Sequence, residues 1–190
     1  MNKYDIIYAD PPWSFKTWSE KGKDRSAEKH YSTMDLEEII NLPIHELSNE
    51  NSVLFLWATS PLISQAFETM KAWGFTYKTF AFVWIKSTIG SFPNPFVPAN
   101  QQVVPHCRLH TGMGYYTRAN AEYCLLGTRG KPLSRRHKGV HQVVLSPVQE
   151  HSRKPDEVAN RIVQLFGERP RIELFARKLR AGWDSWGNEL

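Results

Sequence analysis

The sequence predicts an α/β fold: a mainly parallel sheet with helices on both faces. Three observations carry this. Short apolar, β-rich runs recur along the chain. Between them lie stretches with apolar residues at helical spacing, opened by capping residues and closed by glycine. The two kinds alternate, which suits right-handed strand–helix–strand crossovers.

Tyr4-Asp5-Ile6-Ile7-Tyr8-Ala9 reads as a buried strand, stopped by Asp10-Pro11-Pro12. Asp35 opens a helix with Glu38 three residues on, a capping-box start, and Leu42-Pro43 ends it. Ser52-Val53-Leu54-Phe55-Leu56-Trp57 is a second buried strand. Ser60 reads as an N-cap, followed by Pro61 at the first helical position. Leu62, Ile63, Ala66, Phe67, Met70 and Trp73 then follow helical spacing, and Gly74 closes the helix. Thr76 to Lys86 is a third strand and Ala121 to Leu126 a fourth. After Pro155, Val158, Ala159, Ile162, Val163 and Phe166 share one helical face, with Gly167 behind them. Arg171 to Phe175 is the last clear strand. From Ser87 to Asn120 the pattern stops; this loop mixes prolines and glycines with Phe92, Phe96, Tyr115, Tyr116, Arg108 and Arg118. Long loops without elements are commonly functional, and aromatics among cations suit stacking on bases and pairing with phosphates.

The length, 190 residues, fits one domain spanning 1–190. Two cysteines do not make a disulfide scaffold. Mean hydropathy is −0.47, and no apolar run approaches the ~20 residues of a membrane helix. The expectation is a protein of a reducing cytoplasm, off the membrane. The net charge is +5. Residues 86–141 hold eight basic side chains against one acid, Glu122, so the positive excess gathers there. Such a segment attracts polyanions, and within residues 131–141 the turn Arg135-Arg136-His137-Lys138 offers phosphate contacts through Arg135, Arg136 and Lys138. His106, Cys107, His110, His137 and His141 match no zinc spacing, and no metal is expected.

Asp10-Pro11-Pro12-Trp13 directly after the first strand carries the chemistry. Ligands of open α/β sheets bind outside the carboxyl ends of strands. An exocyclic aromatic amine is a poor nucleophile, because its lone pair is delocalised into the ring. Two rigid acceptors on its N–H groups shift the nitrogen toward a tetrahedral, nucleophilic state. The Asp10 carboxylate and the Pro11 carbonyl form such a pair. The prolines stiffen the turn, and Trp13 offers a face for a base.

The chain resembles the MT-A-seventy family of S-adenosylmethionine-dependent adenine-N6 methyltransferases. The resemblance runs through Ala9-Asp10-Pro11-Pro12-Trp13, His30-Tyr31-Ser32-Thr33-Met34, Leu54-Phe55-Leu56-Trp57, Val83-Trp84-Ile85-Lys86, Ala121 to Gly127, Ser152 to Glu157, Ile172-Glu173-Leu174-Phe175 and Gly187-Asn188. It implies a Rossmann-like methyltransferase fold, circularly permuted so that the catalytic strand precedes the cofactor strand. It places Asp10, Pro11, Pro12 and Trp13 at the target amine, with Tyr31 closing the adenine pocket. It assigns the cofactor to Asp10, Lys154, Glu173, Phe175, Arg177, Asn188 and Glu189. Lys154 at a helix start opposes the helix dipole, so an anionic partner such as the cofactor carboxylate accounts for it. Where many methyltransferases carry a G-x-G loop, this chain has Ala176-Arg177-Lys178.

The expected activity is methyl transfer from S-adenosylmethionine to adenine N6 in nucleic acid. DNA is favoured over RNA, since the chain is short and lacks RNA-binding modules. The rivals are an RNA adenine methyltransferase, a catalytically silent nucleic-acid-binding partner, and a protein-amide methyltransferase. The intact Asp10 and Trp13 speak against the second, the basic segment against the third. A homodimer or heterodimer is compatible with this reading.

Overall fold

A computed structural model describes residues 2–14, 33–88, 109–150, 153–188 and 190. Its strands are β1 (Tyr4–Ala9), β2 (Ser48–Ala58), β3 (Thr76–Ser87), β4 (Ala121–Arg129), β5 (Val143–Pro147), β6 (Arg171–Leu174) and β7 (Asp184–Trp186). They form one sheet in the order β5-β3-β4-β2-β1-β6-β7. The helices are α1 (Leu36–Ile40), α2 (Ile44–Leu47), α3 (Ile63–Ala72) and α4 (Asp156–Phe166), with a 3-10 turn at Ser60–Leu62 before α3.

Sequence alternation builds two cores, because successive side chains of a strand point to opposite faces. Ile7 and Ala9 of β1, with Leu54, Leu56 and Ala58 of β2, join Ile39, Ile44, Ala66, Met70 and Trp73 on one face. Ile6 and Tyr8, with Val53, Phe55 and Trp57, join Val158, Ala159, Ile162 and Phe166 of α4 on the other. A strand apolar on both faces must be covered on both; β1 and β2 are central for that reason.

Local signals hold where the sequence spelled them. Asp35 caps α1, accepting from the Glu38 N–H at 2.8 Å while its own N–H donates to the Glu38 carboxylate at 2.9 Å. Pro61 sits in the first turn of the 3-10 segment. Gly74 and Gly167 end their helices with φ of 83° and 78°. Three elements were not anticipated: α2, β5 and β7. Direction also differs at one strand. β1 pairs parallel with β2 and β6, β6 with β7, and β3 with β5, but β4 runs antiparallel between β2 and β3.

That reversal matters for function. The carboxyl ends of β1, β2, β3 and β6 share an edge with the amino end of β4. Asp10, Lys86, Glu122 and the turn after Leu174 therefore stand along one side of the sheet. β6 arrives beside β1 only after β2 to β5 have been laid down on the other side of it, so the chain's path changes sides at β1/β6. Crevices form where strand order reverses in this way. No helix among the described residues is long and apolar enough to cross a membrane.

Candidate active site

The Asp10-Pro11-Pro12-Trp13 turn leaves the carboxyl end of β1 and is held from both sides. The Trp13 N–H donates to the Pro11 carbonyl at 2.8 Å, a three-residue turn. Met34 N–H donates to the Pro12 carbonyl at 2.9 Å, and Ser14 N–H to the Met34 carbonyl at 3.1 Å. The Pro11 carbonyl thus already accepts one bond; its second lone pair remains for an amine. Trp13 is only 8% exposed. It packs in the first core, and its indole N–H donates to the Trp57 carbonyl at 3.0 Å. Its described contacts are those of an anchor that fixes the turn, and little of its ring is open for stacking.

Asp10 heads a chain of alternating charges. The Lys154 ammonium lies 2.7 Å from the Asp10 carboxylate and 3.1 Å from Glu122. Glu122, at the start of β4, also pairs with Lys86 at the end of β3. Lys154 sits 5.7 Å above the Trp57 ring and Lys86 4.9 Å above Trp84. Trp57 is fixed in turn by its indole N–H, which donates to the buried Tyr8 hydroxyl at 2.8 Å. Burial alone would raise the Glu122 carboxyl, but Lys154 and Lys86 outweigh it and hold it below the ordinary range. Burial alone would lower Lys154, but Asp10 and Glu122 outweigh it and raise the ammonium well above its ordinary value. Glu122 and Lys154 both stay charged at neutral pH for the same reason: each buried charge has opposite neighbours. Lys154 was expected to need an anion; in this structure its anions are Asp10 and Glu122.

A second charged group lies where β6 ends. Arg180 donates to Glu173 at 3.1 Å and to Asp156 at 3.1 Å. Lys178 and Arg153 each donate to the same Asp156 carboxylate at 2.7 Å. Burial pushes the Glu173 carboxyl up against the opposing pull of Arg180. Phe175 follows with φ 58°, the left-handed region, which costs a non-glycine residue on the order of 1–3 kcal/mol. The chain thus makes without glycine a turn of the kind that glycine eases elsewhere. Its glycine is at 187 instead. A Cβ there would stand 2.4 Å from the Ala176 carbonyl oxygen and 2.6 Å from its nitrogen. With the Ala176 N–H donating to the Trp186 carbonyl at 3.0 Å, this close approach seats Gly187, the residue before Asn188, against the backbone of Phe175 and Ala176.

Among the expected substrate residues, the structure draws a division. Lys86 N–H donates to the Asn120 carbonyl, and Leu109 pairs with Ser87, so the 109–120 segment rises from the same edge as Asp10. Its tip carries Tyr115 and Tyr116, 83% and 94% exposed, with exposed Arg118 alongside. The basic turn lies elsewhere. It follows the far end of β4, and the Arg136 N–H donates to the Leu165 carbonyl near the C-terminus of α4. The eleven residues of α4 span about 16 Å from the Lys154 end to this one. The +7 segment is therefore not a single patch. A Cβ on Gly167 would lie 3.1 Å from Arg136 Cδ, so the arginine stem crosses the helix end, where a cation suits the dipole. Tyr31, Arg108 and Glu189 lie outside the described residues.

Lys86 and Glu122 were not singled out from sequence; the one available signal was that Glu122 is the single acid in residues 86–141. Two clefts, of about 350 Å³ at Arg136, His137, Gly167 and Glu168 and about 370 Å³ at Lys3, Arg169, Arg171 and Asp184, open at the opposite edge. Neither borders the charge network, and neither brings together groups suited to catalysis. Among the described residues no three of His, Cys, Asp and Glu are grouped to hold a metal.

A mixed α/β sheet with a rigid acceptor turn and a buried charge network at its carboxyl edge is compatible with a Rossmann-like methyltransferase architecture. The MT-A70 family model matches residues 4–189, and the chain belongs to that family. It is 32% identical to "Type II methyltransferase M.MunI" from a Mycoplasma species, over 99% of this chain and 78% of that protein. It is 29% identical to "Probable N(6)-adenosine-methyltransferase MT-A70-like" of Oryza sativa subsp. japonica and 26% identical to "N(6)-adenosine-methyltransferase catalytic subunit METTL3" of Homo sapiens. Those matches cover the whole of this chain but only 23% and 29% of the two relatives.

Proposed function

We propose that this protein transfers a methyl group from S-adenosylmethionine to the exocyclic N6 amine of adenine in nucleic acid, with DNA as the favoured substrate. The observation that carries the reading is the Asp10 carboxylate and Pro11 carbonyl on one stiff turn at the carboxyl end of β1, in a chain of the MT-A70 family. The relatives named as a type II methyltransferase and as N(6)-adenosine methyltransferases support it.

In this reading the Asp10 carboxylate and the second lone pair of the Pro11 carbonyl accept the two N–H bonds of the amine. That orients its lone pair and opposes delocalisation into the ring. The prolines and the Trp13 anchor keep the pair from reorganising, so little is lost to positioning. The donor set at the edge suits the cofactor. Lys154 offers a cation for its carboxylate, Glu173 an acceptor for ribose hydroxyls, and Phe175, Arg177 and Asn188 frame the turn beside it. S-adenosylmethionine supplies an electrophilic methyl group. Asp10 is the acceptor nearest the amine for the proton lost after transfer. β1 is then the catalytic strand and β6 the cofactor strand, so the order of the two halves is permuted, as chain order supports.

Incubation with methyl-labelled cofactor and DNA or RNA, followed by digestion to nucleosides, tests the activity. Label is expected in N6-methyladenine from DNA. Label in protein, or in no nucleoside, overturns the reading; label from RNA alone overturns the DNA assignment. S-adenosylhomocysteine is expected to raise the melting temperature, by about 2.7 kcal/mol of stabilisation at a hundredfold excess over Kd. Calorimetry checks this, and no heat with no shift at millimolar ligand contradicts it.

Nucleic acid is assigned to the carboxyl edge, at Tyr115, Tyr116 and Arg118. Alanine at both tyrosines is expected to weaken single-strand binding by about 1–3 kcal/mol for each stacked base. The turn at Arg135, Arg136 and Lys138 is reached only by a strand that runs down the α4 flank. The triple alanine variant is therefore expected to leave the salt slope unchanged on an oligonucleotide of about six residues. On a long duplex it should flatten the slope by about two to three units. Flattening on both substrates overturns this division.

A further inference from the structure

We propose that Lys86 is a positioning residue for methyl transfer: through Glu122 it decides how the Lys154 ammonium is divided between Asp10 and an incoming anionic group. The proposal rests on the cofactor reading above and extends it to a residue that meets neither cofactor nor substrate.

Lys86 lies near the end of β3, with β4 and β2 between it and the strand that carries Asp10, and its ammonium pairs with Glu122. The side chains of Lys86, Glu122 and Lys154 are 16%, 5% and 11% exposed. Solvent therefore screens them weakly, and each feels the others' charge strongly. Glu122 faces Lys86 from β3 and Lys154 from the segment before α4, with Asp10 beyond Lys154 at the end of β1. The four groups carry two positive and two negative charges. Glu122 is satisfied from the β3 side, so Lys154 is not needed there alone. That leaves Lys154 able to turn from Asp10 toward a carboxylate, which frees Asp10 for an amine.

Removing Lys86 changes both conditions. The network acquires a net negative charge, which repels an anion. Glu122, without the Lys86 ammonium, draws Lys154 more strongly toward itself. Both effects fall on the binding of the cofactor's carboxylate end. Lys86 itself is over the Trp84 ring, which keeps its stem in place and points its head at Glu122.

The test measures S-adenosylhomocysteine affinity by calorimetry for the wild type, Lys86→Met, Lys86→Arg, Glu122→Gln and the Lys86→Met/Glu122→Gln pair, from pH 5.5 to 8. Lys86→Met is expected to weaken binding about tenfold at pH 8, within the range of coupled neighbours. Lys86→Arg restores it. The deficit shrinks toward pH 5.5, because Glu122, without Lys86, takes up a proton at higher pH and releases Lys154. In the Glu122→Gln background the Lys86→Met deficit is smaller, because only the lost positive charge remains and the draw of Glu122 on Lys154 is gone. A role in folding alone predicts a lower melting temperature with a deficit that does not vary with pH. That result, or a full Lys86→Met deficit in the Glu122→Gln background, overturns the proposal. If Lys86→Met does not fold, the Glu122→Gln pair and Lys86→Arg still decide it. Wild type that binds no S-adenosylhomocysteine overturns the cofactor reading itself; wild-type binding that Lys86→Met leaves unchanged overturns the Lys86 role alone.

Discussion

Asp10→Ala is expected to lower methyl transfer by about a thousandfold or more, the scale of losing a positioned electrostatic partner together with a proton acceptor. The chain should still fold, because Asp10 is not part of either core and stands at the mouth of the site. Its removal also frees Lys154 from one of two anions, so cofactor affinity should hold or improve. Asp10→Asn separates the two contributions. It keeps an acceptor oxygen for the amine but drops the charge that pairs with Lys154. If hydrogen-bond geometry dominates, the asparagine variant retains measurable turnover; if charge dominates, it resembles alanine. Turnover per folded molecule, under saturating cofactor and substrate, is the measurement. An Asp10→Ala protein with a native melting profile and more than about a tenth of wild-type turnover would remove Asp10 from the chemistry.

The parts of this molecule legible in sequence are those written locally. The Asp35–Glu38 box and the Gly74 and Gly167 stops each use residues within a turn of one another and stand where expected, whereas the cap before Pro61 is Thr59 rather than Ser60. β1 and β2 announce themselves because both faces are buried, so their runs are unbroken. β7 does not: three residues, Asp184–Trp186, with β6 as partner, carry no periodicity. β5 is an edge strand whose Val143 is 54% exposed, and its short apolar run beside His141 and Gln142 resembles loop. The direction of β4 was hidden because it depends on how residues 88–120 return, and that stretch has no pattern. The site divides in the same way. Asp10 and its prolines are adjacent in the chain, so their chemistry could be argued from order alone. The Lys86–Glu122 and Glu122–Lys154 contacts join residues 36 and 32 positions apart. Taken singly, each is a charge at a strand or helix end; only the antiparallel β4 brings them together. The positive segment misled in the opposite direction, since contiguity in sequence placed Arg118 and Arg135 at opposite edges.

Lys154→Met is expected to have the largest effect on stability. Methionine keeps the length of the stem and its packing on Trp57, so the loss is mainly the ammonium. That takes from Glu122 one of its cations and sets its charge facing Asp10 at a site where Glu122 is buried. Breaking a buried pair by removing one partner costs about 3–5 kcal/mol. The pH dependence gives the cause away. In the wild type the Glu122 carboxyl is held below its ordinary range, so its contribution is complete above the unfolded value of about 4.3. It is lost only as the pH falls through the lower folded value. Lys154 is raised, so its contribution is complete below its unfolded value, about 10.4, and is lost only at higher pH. Wild-type stability should therefore be nearly flat from pH 5 to 9 on account of this pair. In Lys154→Met the burial of Glu122 is no longer opposed by Lys154, the larger of the two opposing charges, and its carboxyl moves up. A group that binds its proton more readily folded than unfolded makes the protein more stable as the pH falls. Urea unfolding at pH 8, 7, 6 and 5 should show the variant far below wild type at the alkaline end and recovering toward acid, where the wild type does not. A deficit of the same size at every pH would mean that the ammonium is packed rather than paired, and would remove the charge network as the device that holds Asp10 in place.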